Sequence, residues 1–288
     1  MNRDDFSFTS SDGLEIAYFR WRASGRAAGI VQLAHGMGEH SLRYAHVAAF
    51  LNDAGFHVYT NDHRGHGRSA TGKDALGDFG AAGWNGLVAD MVTLTKLART
   101  REGALPVILL GHSMGSFAAQ QYVLDNSASI AALVLSGSAS MEKLAIDPSQ
   151  PADLTNFNAA FEPARTPYDW LSRDNAAVDA YVADPLCGFG INQRAMQSMA
   201  EAAKRLTDPA EISRIRTNLP IYILAGDKDP INHNLEFLRP LAERYRAAGI
   251  ANVTEKYYPD GRHEMFNETN RAEVLSDLLS WIRRAIAQ

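Results

Sequence analysis

Only one cysteine, Cys187, occurs in 288 residues. It has no partner for an internal disulfide, and one thiol without a second cysteine supports no structural zinc site. A reducing, cytoplasmic setting fits that usage. Long apolar runs are missing as well. Nowhere do about 18 consecutive apolar residues occur, and the stretch Met1 to Phe8 carries Asp4 and Asp5 where a secretory leader would have its apolar segment. Export and insertion into a bilayer are therefore not expected. No cluster of Lys and Arg stands out, and the formal charge is −5, which argues against nucleic acid or an anionic membrane as the main partner. A transient contact with a membrane surface stays open. There is no repeat and no low-complexity tract. A 46% hydrophobic, 21% charged chain is expected to fold by burying apolar surface.

What is present is a regular alternation of short apolar runs with longer helical patterns, the signature of a parallel α/β sheet. Strands are expected at Glu15 to Trp21, Gly29 to Ala34, His57 to Asn61, Pro106 to Gly111, Ala132 to Gly137, Pro220 to Gly226 and Val253 to Tyr258. Helices are expected at Tyr44 to Ala54, Gly83 to Arg99, Met114 to Asp125, Leu235 to Ala248 and Arg271 to Ala287. The last has the clearest stripe, through Val274, Leu278 and Ile282. One connection breaks the rhythm. Residues 138–219 far exceed the roughly dozen that a crossover needs, and they hold Leu154, Phe157, Trp170, Tyr181, Met196 and Met199, too much apolar surface for a solvated linker. This segment is expected to be a helical cap on a core made of residues 1–137 and 220–288.

The strongest chemical signal is Gly111-His112-Ser113-Met114-Gly115, where an apolar run ends and a helical pattern begins. A serine hydroxyl is a poor nucleophile at neutral pH and has to project from a tight turn toward a base, with small residues on either side. The bland alternative, a glycine-rich turn with Ser113 as helix cap, needs no base or acid elsewhere. This chain offers both. Of the two histidines after the acid-bearing loop Gly226 to Asp229, His233 shares that loop and is expected to begin a helix, which leaves His263 as the better base. Among the acids, Asp229 is favoured over Asp227, because Asp227 directly follows a strand and is well placed to bond turn backbone. Asp260, three residues before His263, is expected to shape its turn.

A tetrahedral intermediate on such a serine also needs donors for its oxyanion. The Met114 amide is one candidate. The Met37 amide, in the loop His35-Gly36-Met37-Gly38-Glu39-His40 after a strand, is the other. Two rival readings are weaker. Gly36-x-Gly38 lacks the third glycine of a dinucleotide fingerprint, since position 41 is Ser41. Asp62, His63 and His66 could be taken for metal ligands, but a loop scaffold with Asp62 paired to nearby arginines is the simpler reading.

Taken together, His35 to Ser41 with Arg43-Tyr44, then Asp62 to Ser69, Gly111 to Gly115, Gly226 to Asp229 and Gly261 to Phe266 closely resemble the monoacylglycerol lipase and lysophospholipase branch of the α/β-hydrolases. The likeness spans most of the chain outside the cap, where only Asp184-Pro185-Leu186 looks familiar. It implies an α/β-hydrolase fold, with a mostly parallel central sheet flanked by helices and a helical cap inserted between strands 6 and 7. It also implies a Ser113, Asp229, His263 triad, an oxyanion hole from the Met37 and Met114 amides, and no cofactor or metal. The expected reaction is hydrolysis of a small-molecule fatty acyl ester under a mobile cap. A broad carboxylesterase and an aminopeptidase of the same fold are the alternatives, the latter needing a cap acid such as Glu162 or Asp169. A non-catalytic receptor on this scaffold is the alternative of a different class.

Overall fold

The computed structural model describes residues 3–144 and 147–287. Residues 1, 2 and 288 of the expected core, and 145 and 146 of the expected cap, lie outside the described residues. An eight-stranded sheet runs in the order β1-β2-β4-β3-β5-β6-β7-β8. Its strands are β1 (Arg3–Thr9), β2 (Glu15–Trp21), β3 (Gly29–Ala34), β4 (Phe56–Asn61), β5 (Val107–His112), β6 (Ala132–Ser136), β7 (Ile221–Gly226) and β8 (Val253–Tyr258). The β1–β2 and β2–β4 pairings are antiparallel and the remaining ladders parallel.

Period-two alternation explains why the central strands read as unbroken apolar runs. In β5, Val107 and Leu109 face one hydrophobic cluster while Ile108 and Leu110 face the other, and β6 divides Leu133 and Leu135 from Ala132 and Val134 in the same way. Helices α2 (Gly83–Glu102), α3 (Met114–Asn126) and α7 (Arg239–Ala247) cover the first face. Helices α1 (Ala45–Asp53) and α8 (Arg271–Ile286) cover the second. Each large aliphatic side chain so buried contributes about 1.5–3 kcal/mol.

Two expectations change. β1 was not expected, because its Asp-Phe-Ser-Phe alternation has no apolar run and its residues alternate between exposed and half-buried, as an edge strand should. The helix expected from Leu235 starts only at Arg239, since His233, Asn234 and Leu235 take positive φ of 51°, 54° and 75°. His233 therefore begins no helix.

Between β6 and β7 the described residues hold no strand. They form short helical turns and the helices α4 (Asn175–Ala183), α5 (Gln193–Ala203) and α6 (Pro209–Ile212). Asp174, Asn192 and Asp208 accept backbone N–H groups at the first turns of these three helices, satisfying donors that the turns would otherwise strand. This segment is tied to the loop after β3 and to the loop after β8. The Trp170 and Leu171 carbonyls accept the His263 and Glu264 amides at 3.4 and 2.8 Å, and Gly188 N–H donates to Gly38 O at 3.0 Å.

Candidate active site

Ser113 sits at the tip of β5, where α3 begins, with φ 52° and ψ −122°. A non-glycine residue in that region carries about 1–3 kcal/mol of strain, which the surrounding packing sustains. A Cβ at Gly111 would lie 2.4 Å from Gly115 O, and one at Gly115 would lie 2.2 Å from Ala34 O. The two glycines thus let α3 start directly against β3 and β5, and the turn has no freedom except to lift Ser113 outward.

His263 lies beyond β8 and is buried, with Nδ1–H donating to Asp229 Oδ2 at 2.9 Å. Asp229, fully buried after β7, accepts the Ile231 amide on Oδ1 at 2.9 Å. Asp227 instead accepts the Asp260 amide at 2.8 Å in an exposed turn, and Asp260 itself has φ 58°. The acid nearest the base is therefore Asp229, with Asp227 and Asp260 shaping the turn. Burial pushes the His263 pKa down, but the Asp229 carboxylate outweighs it and holds the imidazole above its ordinary value of 6.5.

Ser113 and His263 line one cavity of about 500 Å³ together with Met37 and Met114. His263 Nε2 is buried and hydrogen-bonded to nothing among the described residues. In unliganded sites such catalytic contacts are often long and tighten on the substrate. The amides flanking Met37 are occupied: Gly36 N–H donates to Glu39 Oε1 and Gly38 N–H to His66 Nε2 at 3.2 Å. The Met37 and Met114 amides have no such partner among the described residues.

Glu39 organises this corner. Besides Gly36 it accepts Tyr44 Oη–H at 2.7 Å and pairs with Arg43 Nη1, which Glu264 Oε1 also reaches at 2.6 Å while Glu264 Oε2 takes Arg43 Nη2 at 2.7 Å. Burial alone would raise the Glu39 pKa, yet Arg43 pulls it lower still. Arg43 thereby ties the loop after β3 to the loop of His263. His112 packs on His263 with ring centroids 4.8 Å apart. Gly137, with φ 56°, makes room for that stack, since a Cβ there would meet both imidazoles at about 3 Å.

The Asp62 loop is scaffold. Asp62 accepts the Ser41 and Arg68 amides at 2.9 and 2.7 Å, so its partners are backbone N–H groups and not the guanidinium groups expected. His35 Nε2 accepts the His63 amide at 2.9 Å, and burial pushes His35 down to about 4 and His66 to about 3.

Residues 25–270 match the family described as serine aminopeptidase, S33. The chain belongs to this family. It is a serine hydrolase with the α/β-hydrolase fold. A monoacylglycerol lipase of Mycolicibacterium smegmatis is 34% identical over 97% of both chains. A carboxyl esterase from Bacillus coagulans, solved with glycerol, superposes with a TM-score of 0.88 at 30% identity over 99% of both chains. A lipase in an open form gives 0.89 at 28% identity over the full length of both. The hydrolase thus stands among lipases and esterases. Among the described residues no helix is long and apolar enough to cross a membrane.

Sequence reasoning counted Trp170 and Tyr181 only among the apolar residues of 138–219, and it did not pair Arg43 with Glu264. Trp170 Nε1–H and Tyr181 Oη–H are buried without a partner among the described residues, and both side chains line the cavity. Their one sequence signal was excess apolar surface in the cap.

Proposed function

We propose that this hydrolase cleaves carboxylic esters of fatty acids with a small polar alcohol, of the monoacylglycerol or lysophospholipid type, through an acyl-enzyme on Ser113. Ser113 Oγ attacks the ester carbonyl while its proton passes to His263 Nε2, and the Met37 and Met114 amides take the oxyanion. His263 then returns the proton to the departing alcohol, and water attacks the acyl-enzyme by the same route. Asp229 holds the imidazole tautomer and balances its charge. Residues 1–137 and 220–288 act as the core, and 138–219 as the cap that selects the acyl group.

One observation carries this reading: the cavity beside Ser113 is walled by Met114, Phe117, Leu154, Phe157, Met196 and Met199, an apolar chamber of the size that encloses a drug-sized ligand. Trp170 Nε1–H and Tyr181 Oη–H supply donors for the alcohol end. The glycerol in the related esterase structure and the name of the mycobacterial relative support that head group. The aminopeptidase reading requires a free carboxylate for the substrate amine. Glu162 and Asp169 do not line the cavity, and of the acids that do, Glu39 and Glu264 are matched by Arg43 while Asp153 and Asp147 keep their charge, so hydrolysis of amino-acid amides is the assay that decides this alternative. The lone cysteine supports a cytoplasmic setting. Val182 of α4, the one large hydrophobic side chain left largely exposed among the described residues, is the candidate for a brief membrane contact through the cap.

The test is an acyl-chain series. Each buried methylene contributes about 0.8 kcal/mol, roughly fourfold in kcat/KM, so 4-nitrophenyl esters and monoacylglycerols should be cleaved faster from acetyl to medium chains and then level off. A flat profile removes the lipid reading and leaves an esterase. Failure of a fluorophosphonate to label the wild type, or equal labelling of Ser113→Ala, removes the serine mechanism.

A further inference from the structure

His40, on the oxyanion loop, and Asp184 and Cys187, in the turn between α4 and α5, meet where the core touches the cap. We propose that these three side chains form a regulatory site for a borderline divalent cation of the zinc type, which on binding staples the Met37 loop to the cap and slows turnover. The imidazole, carboxylate and thiol ligand atoms all lie within 4.8 Å of one another, with His40 Nε2 and Asp184 Oδ2 3.0 Å apart. Around a tetrahedral zinc with bonds of about 2.0–2.3 Å, ligand atoms sit roughly 3.3–3.6 Å apart. The set therefore closes on an ion with an adjustment of about 1 Å, within reach of the cysteine side chain.

The junction is built, not incidental. Asp184 Oδ1 is held by the Leu186 amide at 2.9 Å, an outer contact of the kind that orients a metal-binding carboxylate. Cys187 N–H donates to Asp184 O at 3.0 Å, closing the turn that brings thiol and carboxylate together, and Gly188 N–H pins the same turn to Gly38 O. Solvent reaches the site, since the Asp184 side chain is 30% exposed against 9% for His40. Arg43 stacks on Tyr181 close by, but its charge is matched by Glu39 and Glu264. The donor set of one nitrogen, one sulfur and one oxygen suits zinc over magnesium or calcium. A single cysteine excludes a multi-cysteine site; it does not exclude a mixed one whose histidine comes from a distant loop.

On binding, the Cys187 thiol proton leaves to the buffer and a sulfur–zinc bond takes its place. The Nε2 proton that His40 donates to Asp184 passes through solvent to Nδ1, Nε2 and the freed carboxylate oxygen each bond to zinc, water fills the fourth position, and no oxidation state changes. Met37 lies three residues from His40, so the ion fixes the loop that must adjust around the oxyanion.

The experiment titrates zinc chloride into the full chain in competition with 4-(2-pyridylazo)resorcinol, and in parallel into a 4-nitrophenyl ester assay. The wild type should take up one zinc per chain and lose activity, restored by EDTA. Cys187→Ala should keep its metal-free rate and need about 10–100-fold more zinc for both effects, since even loss of an outer contact costs that much. If Cys187→Ala binds zinc and is inhibited as the wild type is, the ion sits elsewhere, at Ser113 and His263 for example, and the proposal fails. Absence of stoichiometric uptake by the wild type overturns it as well. The binding arm does not depend on which ester is cleaved, so its outcome is separable from that of the acyl-chain series.

Discussion

Replacing Asp229 by Asn tests the electrostatic logic of the site with almost no change of shape. The wild-type carboxylate accepts twice, from His263 Nδ1–H and from the Ile231 amide, each at 2.9 Å. An Asn side chain has one acceptor and one donor. With its oxygen toward His263, its NH₂ would face the Ile231 N–H, two donors at hydrogen-bond distance in a fully buried position, costing about 1–3 kcal/mol for each unsatisfied group. With its oxygen toward Ile231, its NH₂ faces Nδ1, which must then be the unprotonated nitrogen. The backbone amide cannot change its character and the imidazole can, so the second orientation wins. It leaves the proton on Nε2, the atom that has to receive the Ser113 proton. In a serine protease this tautomer error lowers kcat about 10⁴-fold, and a similar loss is expected here for a medium-chain 4-nitrophenyl ester near pH 8, with the folded state retained in a thermal melt. Asp227→Asn, which disturbs only an exposed turn contact, should stay within a few-fold of wild type. An Asp229→Asn enzyme retaining more than about 1% of kcat, or an Asp227→Asn enzyme that is the more impaired, would falsify the assignment.

The acidic limb of kcat/KM should titrate above 6.5, because Asp229 holds His263 raised and only the neutral imidazole is a base; a limb below 6.5 contradicts the pairing. The linked effect on stability has the opposite sense: the protonated pair stabilises the fold fully below 6.5, and that contribution is lost as pH rises through the folded value. His35 and His66 act in the other direction, since burial depresses them to about 4 and about 3. The unfolded chain binds their protons first, so stability should fall as pH drops from about 6.5 toward 4, with net proton uptake on unfolding measurable by calorimetry in buffers of different ionisation enthalpy. Met37→Ala should mainly alter substrate fit, whereas Met37→Pro removes the donated N–H and should lower kcat by about two to three decades; equal effects speak against that amide. Trp170→Phe and Tyr181→Phe each delete one orphaned donor and should lower kcat/KM for a monoacylglycerol about 3–10-fold, leaving the matching 4-nitrophenyl ester unchanged. An equal loss on both substrates would assign these side chains to packing.

What the sequence made legible follows from how far each signal reaches along the chain. The strands β3, β5, β6 and β7 are buried on both faces, so apolar content alone marks them. The Ser113 turn declares itself through Gly111 and Gly115 because the backbone approaches there leave no room for a Cβ, a constraint written within five residues. Even the separation of Asp229 from Asp227 was readable, since a residue directly after a strand is held by the turn it starts. The parts that escaped are set by partners far away in sequence. Arg43 meets Glu264 across 221 positions and His40 meets Asp184 across 144, and no local pattern encodes either. Asp62 illustrates the same limit at short range: an acid among arginines suggested guanidinium partners, yet the curl of the loop presents two backbone amides first, and these fixed donors outcompete flexible side chains that solvent already satisfies. The left-handed turn at His233 to Leu235 hides for a related reason, since three non-glycine residues with positive φ run against local preference and persist only because the buried Asn232 carbonyl and side chain accept the Phe237 and Leu235 amides. Local rules singled out Ser113, His263 and Asp229. The surroundings that tune them are a property of the closed chain.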